Sequence, residues 1–193
     1  MAEIKSTMEM VLARAERLAA EAVSTDKDEI VKKGMRIAAD YLKNQNADLR
    51  QELQKQLSEE QHEIRKGMAE VLLRNIILPR DEELKSSGHF ALQAILQLGD
   101  KNSELQVICQ ELAQILDQYS QHKQQTTQQF EDAIRAQLEQ QQMMSGQEAA
   151  PESINPAMHP QYREELSKTL TSLNNQYTEA MDQRKSALAN LFS

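Results

Sequence analysis

The chain has 193 residues, a formal net charge of −8, 5 glycines, 4 prolines, no tryptophan and 4% aromatic residues. So few turn formers leave little punctuation for a many-stranded sheet, while abundant Ala, Leu, Glu, Gln, Lys and Arg favours long helices. The sequence shows no concentrated basic face of the kind nucleic acid needs: the densest basic group, Lys27, Lys32, Lys33 and Arg36, has Asp26, Asp28 and Glu29 set among it, so no nucleic-acid partner is expected.

A first helix is predicted over about residues 3–23. Ile4, Met8, Val11, Leu12, Ala15, Leu18, Ala19 and Ala22 recur there at three- and four-residue steps as one stripe. Ser24-Thr25-Asp26 then supplies a break and a fresh N-cap. A second helix is predicted over 26–75, marked by Ile30, Ile37, Tyr41, Leu42, Leu49, Leu53, Leu57, Ile64, Met68, Val71 and Leu72. At 1.5 Å per residue it would be about 70 Å long. Its middle, Lys43 to Lys66, is polar, with apolar residues almost in single file. Gly34 and Gly67 lie inside the pattern and each costs about 1 kcal/mol relative to alanine in a helix. They mark either a close helix approach or a local kink.

The stretch from Asn75 to Glu83, NIILPRDEE, stops that helix at Pro79. Asp81 is the N-cap of a third helix over 81–98, and Glu82 and Glu83 suit its positive end. Ile76, Ile77 and Leu78 have two readings. As a corner they staple two helices together. As a docking site they form an apolar patch rimmed by Arg74, Arg80 and the acids. The corner accounts for Pro79 and the acids without a partner.

Gly99 to Ser103 is a turn in which Gly99 fits a left-handed C-cap and Asp100, Asn102 and Ser103 are alternative N-caps. A bent continuation and a full reversal satisfy these residues equally. A fourth helix over 103–144 carries Leu105, Ile108, Leu112, Ile115, Tyr119, Phe130, Ile134 and Leu138 in near-heptad rhythm. Residues 145–160 read as a linker, with Gly146 and three of the four prolines. A C-terminal helix over 161–193 packs on the bundle or on a second chain. Its last apolar residues, Leu188, Leu191 and Phe192, finish a bundle seam or dock into a partner's groove.

Sites of chemistry are sparse. Glu59 and His62 have the Glu-x-x-His spacing of carboxylate-bridged dimetal bundles, but such sites use two pairs and further carboxylates, and SEEQHEIRK around them reads as a solvated face. His122 near the fourth helix's seam is a rim residue or a titrating polar layer. Cys109 has no partner for an internal disulfide, which suits a reducing compartment, and reads as a small buried hydrophobe beside Val107 and Ile108. No phosphate-binding loop, dinucleotide fingerprint or nucleophile elbow is present, and no cofactor is expected. No window reaches the apolar length of a membrane span, and the N-terminus has no signal-peptide apolar region.

MAEIKSTMEM at the start, together with GMAEVLLRNIILPRDEE from Gly67 to Glu83, resembles a small group of uncharacterised bacterial all-helical proteins. The resemblance covers pieces of the N-terminal half. It implies a bacterial cytoplasmic protein without an assigned activity, and no functional residue carries over.

The reading is an all-α protein, an elongated antiparallel bundle of long helices with coiled-coil-like seams. Its expected role is non-enzymatic interaction as a scaffold, adaptor or assembly factor. The partner is an unidentified protein or a second copy in a homodimer, with neither nucleic acid nor membrane involved. The alternatives are a metal-binding bundle using Glu59 and His62, and a chaperone-like accessory protein holding a client at Met143 and Met144.

Overall fold

The apolar periodicity folds as helix along most of the described chain. The computed structural model describes residues 7–44, 48–99, 102–145 and 160–193, and these form six helices and no strand. They are α1 (Thr7–Asn44), α2 (Leu49–Gln54), α3 (Gln61–Asn75), α4 (Glu82–Leu98), α5 (Ser103–Ser145) and α6 (Pro160–Leu191). The protein is all-α, and its long helices are antiparallel neighbours.

The first two expected helices are divided differently. α1 runs through Ser24-Thr25-Asp26 without a break. Ser, Thr and Asp cap a helix only where the chain turns, and inside one they cost a few tenths of a kcal/mol that packing overrides. The expected long helix over 26–75 instead ends at Asn44, and α3 begins at Gln61. Its polar middle offers too thin a seam to hold one continuous rod. Asp48 starts the short α2 by accepting N–H bonds from Arg50 (2.9 Å) and Gln51 (3.3 Å). Leu49 and Leu53 of α2 are buried and form part of the core with α4.

The most extensive helix contact joins α1 to α3, and two glycines make it. A Cβ at Gly34 would lie 2.1 Å from the carbonyl oxygen of Ile64, and one at Gly67 would lie 2.1 Å from that of Val31. Both are therefore points of close approach. The reciprocal pairing, 34 with 64 and 31 with 67, fixes an antiparallel register. By that register the start of α1 runs past the end of α3.

α3, α4, α5 and α6 close a ring: each touches the next, and α6 returns to α3. This is four-helix bundle packing, with α1 added on the outside of α3. Ile64, Met68, Leu72 and Ile76 of the α3 region meet Ala91, Ile95 and Leu98 of α4 and Leu112 and Leu116 of α5 in the core. α1 also reaches α4, where Tyr41 stacks on Phe90 with centroids 5.0 Å apart and planes 6° from parallel.

Asp81 caps α4 by accepting the N–H of Leu84 at 2.8 Å. Gly99 is not left-handed: its φ is −90° and ψ 12°. Its lack of a side chain leaves room for Leu105, whose Cδ1, Cδ2 and Cγ would stand 2.6, 2.8 and 3.2 Å from a Cβ there, so that a larger residue would require Leu105 as a whole to shift. Asn102 caps α5, accepting from Glu104 N at 2.9 Å and Leu105 N at 3.3 Å. The turn reverses the chain fully, since Leu116 of α5 lies against Gly88 of α4 while Leu105 lies against Gly99. Asp100 lies outside the described residues, as does nearly all of the expected linker over 145–160. α6 starts on Pro160, whose missing N–H is harmless at a first helical position.

Candidate functional site

α6 returns along α5. Glu111 pairs with Arg184 at 2.6 Å, Tyr119 with Asn174 at 2.8 Å and Glu131 with Tyr162 at 3.5 Å. This antiparallel register carries the end of α6 to α3, and the two helices leave a cleft of about 610 Å³ between them. Its α3 wall is Lys66, Ala69, Glu70, Leu73 and Arg74. Its α6 wall includes Asp182, Lys185, Ser186 and Ala189, with Phe192 beyond. Both walls follow helical three- and four-residue spacing. Ala69, Leu73 and Phe192 are buried at the base, while Ser186 and Ala189 are exposed. Small side chains at 69, 186 and 189 keep the walls low, which holds the cleft open.

The charges are unevenly matched. Arg74 bonds Glu70 one turn back on α3. Neither Lys66 nor Lys185 has a carboxylate within ion-pair distance among the described residues. Lys185 is partly buried, and desolvation lowers its pKa below the usual lysine value, an effect that Asp182 opposes.

The structure separates the residues that the sequence grouped together. Ile76 is fully buried, Pro79 is buried, Leu78 packs partly buried on the core, and Ile77 is 43% exposed. Lys123 Nζ donates to the Arg80 carbonyl at 3.2 Å and ties this segment to α5. At the other end Leu188 is fully buried, Leu191 packs partly buried on the core, and Phe192 lines the cleft. Ile76 and Leu188 are therefore out of a partner's reach. Glu59 and His62 are both exposed. Glu59 sits in the turn before α3, so the pair does not share a helical face as their spacing implied. No group of three or more His, Cys, Asp or Glu side chains is arranged to hold a metal among the described residues.

Other polar groups tie helices together. Asp117 of α5 receives Lys85 at 3.1 Å and His89 at 3.2 Å from α4. Desolvation pushes the Asp117 pKa up, but the bonds from Lys85 and His89 outweigh it and leave the carboxyl below its ordinary value. His122 is exposed, and its Nδ1 lies 2.5 Å from the Tyr177 hydroxyl. Tyr177 in turn meets Tyr119 edge-on at 5.5 Å. Burial raises the pKa of both tyrosines, so their hydroxyls stay protonated. Cys109 is 2% exposed, and burial pushes its thiol up to about 12. Met143 and Met144 are each 83% exposed near the end of α5.

A family model described as a family of unknown function, DUF6657, matches residues 50–190. The chain belongs to this family. The DUF6657 match takes in the Gly67 to Glu83 piece and the glutamine-rich second half, whereas MAEIKSTMEM lies outside it. It also includes most of both cleft walls. Neither the curated proteins nor the solved structures give a match. Among the described residues no helix is long and apolar enough to cross a membrane.

Proposed function

We propose that this chain is a non-enzymatic helical interaction protein, a scaffold, adaptor or assembly factor of the bacterial cytoplasm. The observation that carries the reading is the open cleft of about 610 Å³ between α3 and α6, with an apolar base and charged rims. Clefts between helices of a bundle are common binding sites. The coiled-coil-like rhythm of α5, with Phe130, Ile134 and Leu138 only partly buried, supports a homodimer through the same helix–helix chemistry.

A photo-crosslinking residue at exposed Ser186, with exposed Gln118 as control, tests the reading in cells. The expected result is a discrete adduct from position 186, identified by mass spectrometry and absent from position 118. No adduct from either position, together with a monomer mass by light scattering, would remove the proposal.

A further inference from the structure

We infer that the α3–α6 cleft, walled by Lys66, Ala69 and Leu73 on one side and Lys185 and Ala189 on the other, docks an amphipathic helix of a partner protein whose apolar stripe is flanked by acidic residues. The inference rests on the reading of the chain as an interaction protein and specifies the partner's chemistry.

Shape is the first ground. Both walls are helix faces, and the trough between two packed helices is a ready seat for a third. The walls present side chains rather than free backbone donors, so an added strand would find no ladder to extend. The low side chains at 69 and 189 leave room for a partner's larger apolar anchors.

Charge is the second ground. Among the side chains of this lining, which Ser193 completes, Lys66, Arg74 and Lys185 outnumber Glu70 and Asp182 by one. Two other clefts have the opposite balance. One sets Arg80 and Lys123 against Asp81, Glu82 and Glu131, and the other has Glu179 and Asp182 without a cation. A cationic excess is thus local, in a chain of net charge −8. Because Glu70 already holds Arg74, the amines left to pair are Lys66 and Lys185, one on each wall. A helix lying along the trough with a carboxylate on each flank meets both. Desolvated Lys185 gains most, since a charge held away from water binds an opposite charge more strongly.

The test displays a library of helical peptides, with a fixed leucine and alanine stripe and randomised flanks, against the full chain. The expected clones fail to bind Ala189→Arg and are enriched in Glu and Asp at their flanks. Lys66→Glu with Lys185→Glu should weaken these clones by about tenfold or more and select basic flanks instead. Circular dichroism checks the fold of each variant, and Ser186→Arg replaces Ala189→Arg if the latter unfolds. A selection without groove-dependent clones, or one without acidic enrichment, overturns the inference. So does a dimer mass that Ala189→Arg halves, because a second copy would then be the occupant. A partner crosslinked through Ser186 beside a failed selection sinks the acidic-helix inference alone. Failure of both sinks the interaction reading beneath it.

Discussion

Replacing Gly34 or Gly67 with alanine is the sharpest test of the α1–α3 packing. In an isolated helix either change is favourable by about 1 kcal/mol. Here each new methyl would stand 2.1 Å from a backbone carbonyl oxygen of the facing helix, closer than real Cβ contacts come. A backbone atom cannot rotate away, so the two helices must open by about 1 Å. Overpacking of this kind costs about 1–3 kcal/mol, and a rigid neighbour argues for the upper end. After the helix gain is subtracted, about 1–2 kcal/mol of destabilisation remains, or a Tm lowered by roughly 2–8 °C in a chain of this size. Gly88→Ala is the control. Its new Cβ would meet only Cδ1 of Leu116, the far end of a flexible side chain, at 2.9 Å. That variant should be neutral or slightly stabilising. Thermal melts followed by circular dichroism compare the three. The double variant at 34 and 67 should lose less than the two single losses combined, because one separation relieves both clashes. If Gly34→Ala raised the Tm as Gly88→Ala does, the close crossing would be wrong.

Cys109 should resist thiol reagents at pH 8 in the folded protein and react fully in denaturant. With the folded thiol at about 12 and the free thiol at 9.0, only the unfolded state ionises just above pH 9. The thiol should therefore contribute a fall in folding stability that approaches about 1.4 kcal/mol per pH unit as the unfolded thiol becomes fully ionised, and Cys109→Ala should reduce the alkaline slope in urea titrations. Asp117 has the opposite sign: its folded pKa is below the ordinary 3.8, so its contribution exists above that pH and is lost as pH falls through the folded value. The Tm gap between wild type and Asp117→Asn should accordingly close as pH drops below about 4. Asn102→Ala leaves two N–H groups at the start of α5 without their acceptor. It should cost about 1 kcal/mol in urea unfolding with an unchanged slope.

Local chemistry made part of this fold legible. Pro79, Asp81 and the acids after it identify the start of α4 because each acts within a few residues of itself. Gly34 and Gly67 stood out because a helix keeps such residues only for a reason, and close approach proved to be that reason. Gly99 showed a turn but suggested the wrong backbone conformation, since steric room for Leu105 and freedom of φ both select glycine. The uninterrupted α1 and the break before α3 were not legible. Both depend on α3 folding back on α1, which outweighs the capping residues at 24 to 26 and the apparent continuity beyond 44. The cleft was hidden for the same reason. Lys66 and Lys185 belong to no motif, and only small residues at helical spacing, Ser186 and Ala189, hinted at an open face.

The helix ring also sets an order of events. α1 with α3, α3 with α4, α4 with α5 and α5 with α6 are all near neighbours along the chain, so most of the structure can form from short loops. The contact of α3 with α6 is the exception, and Lys66 and Lys185 come from distant parts of the chain. During synthesis the earlier helices can pair as they emerge, whereas the cleft has only one wall until α6 is made. An occupant of the kind inferred above could therefore be held between both walls only once α6 has been made.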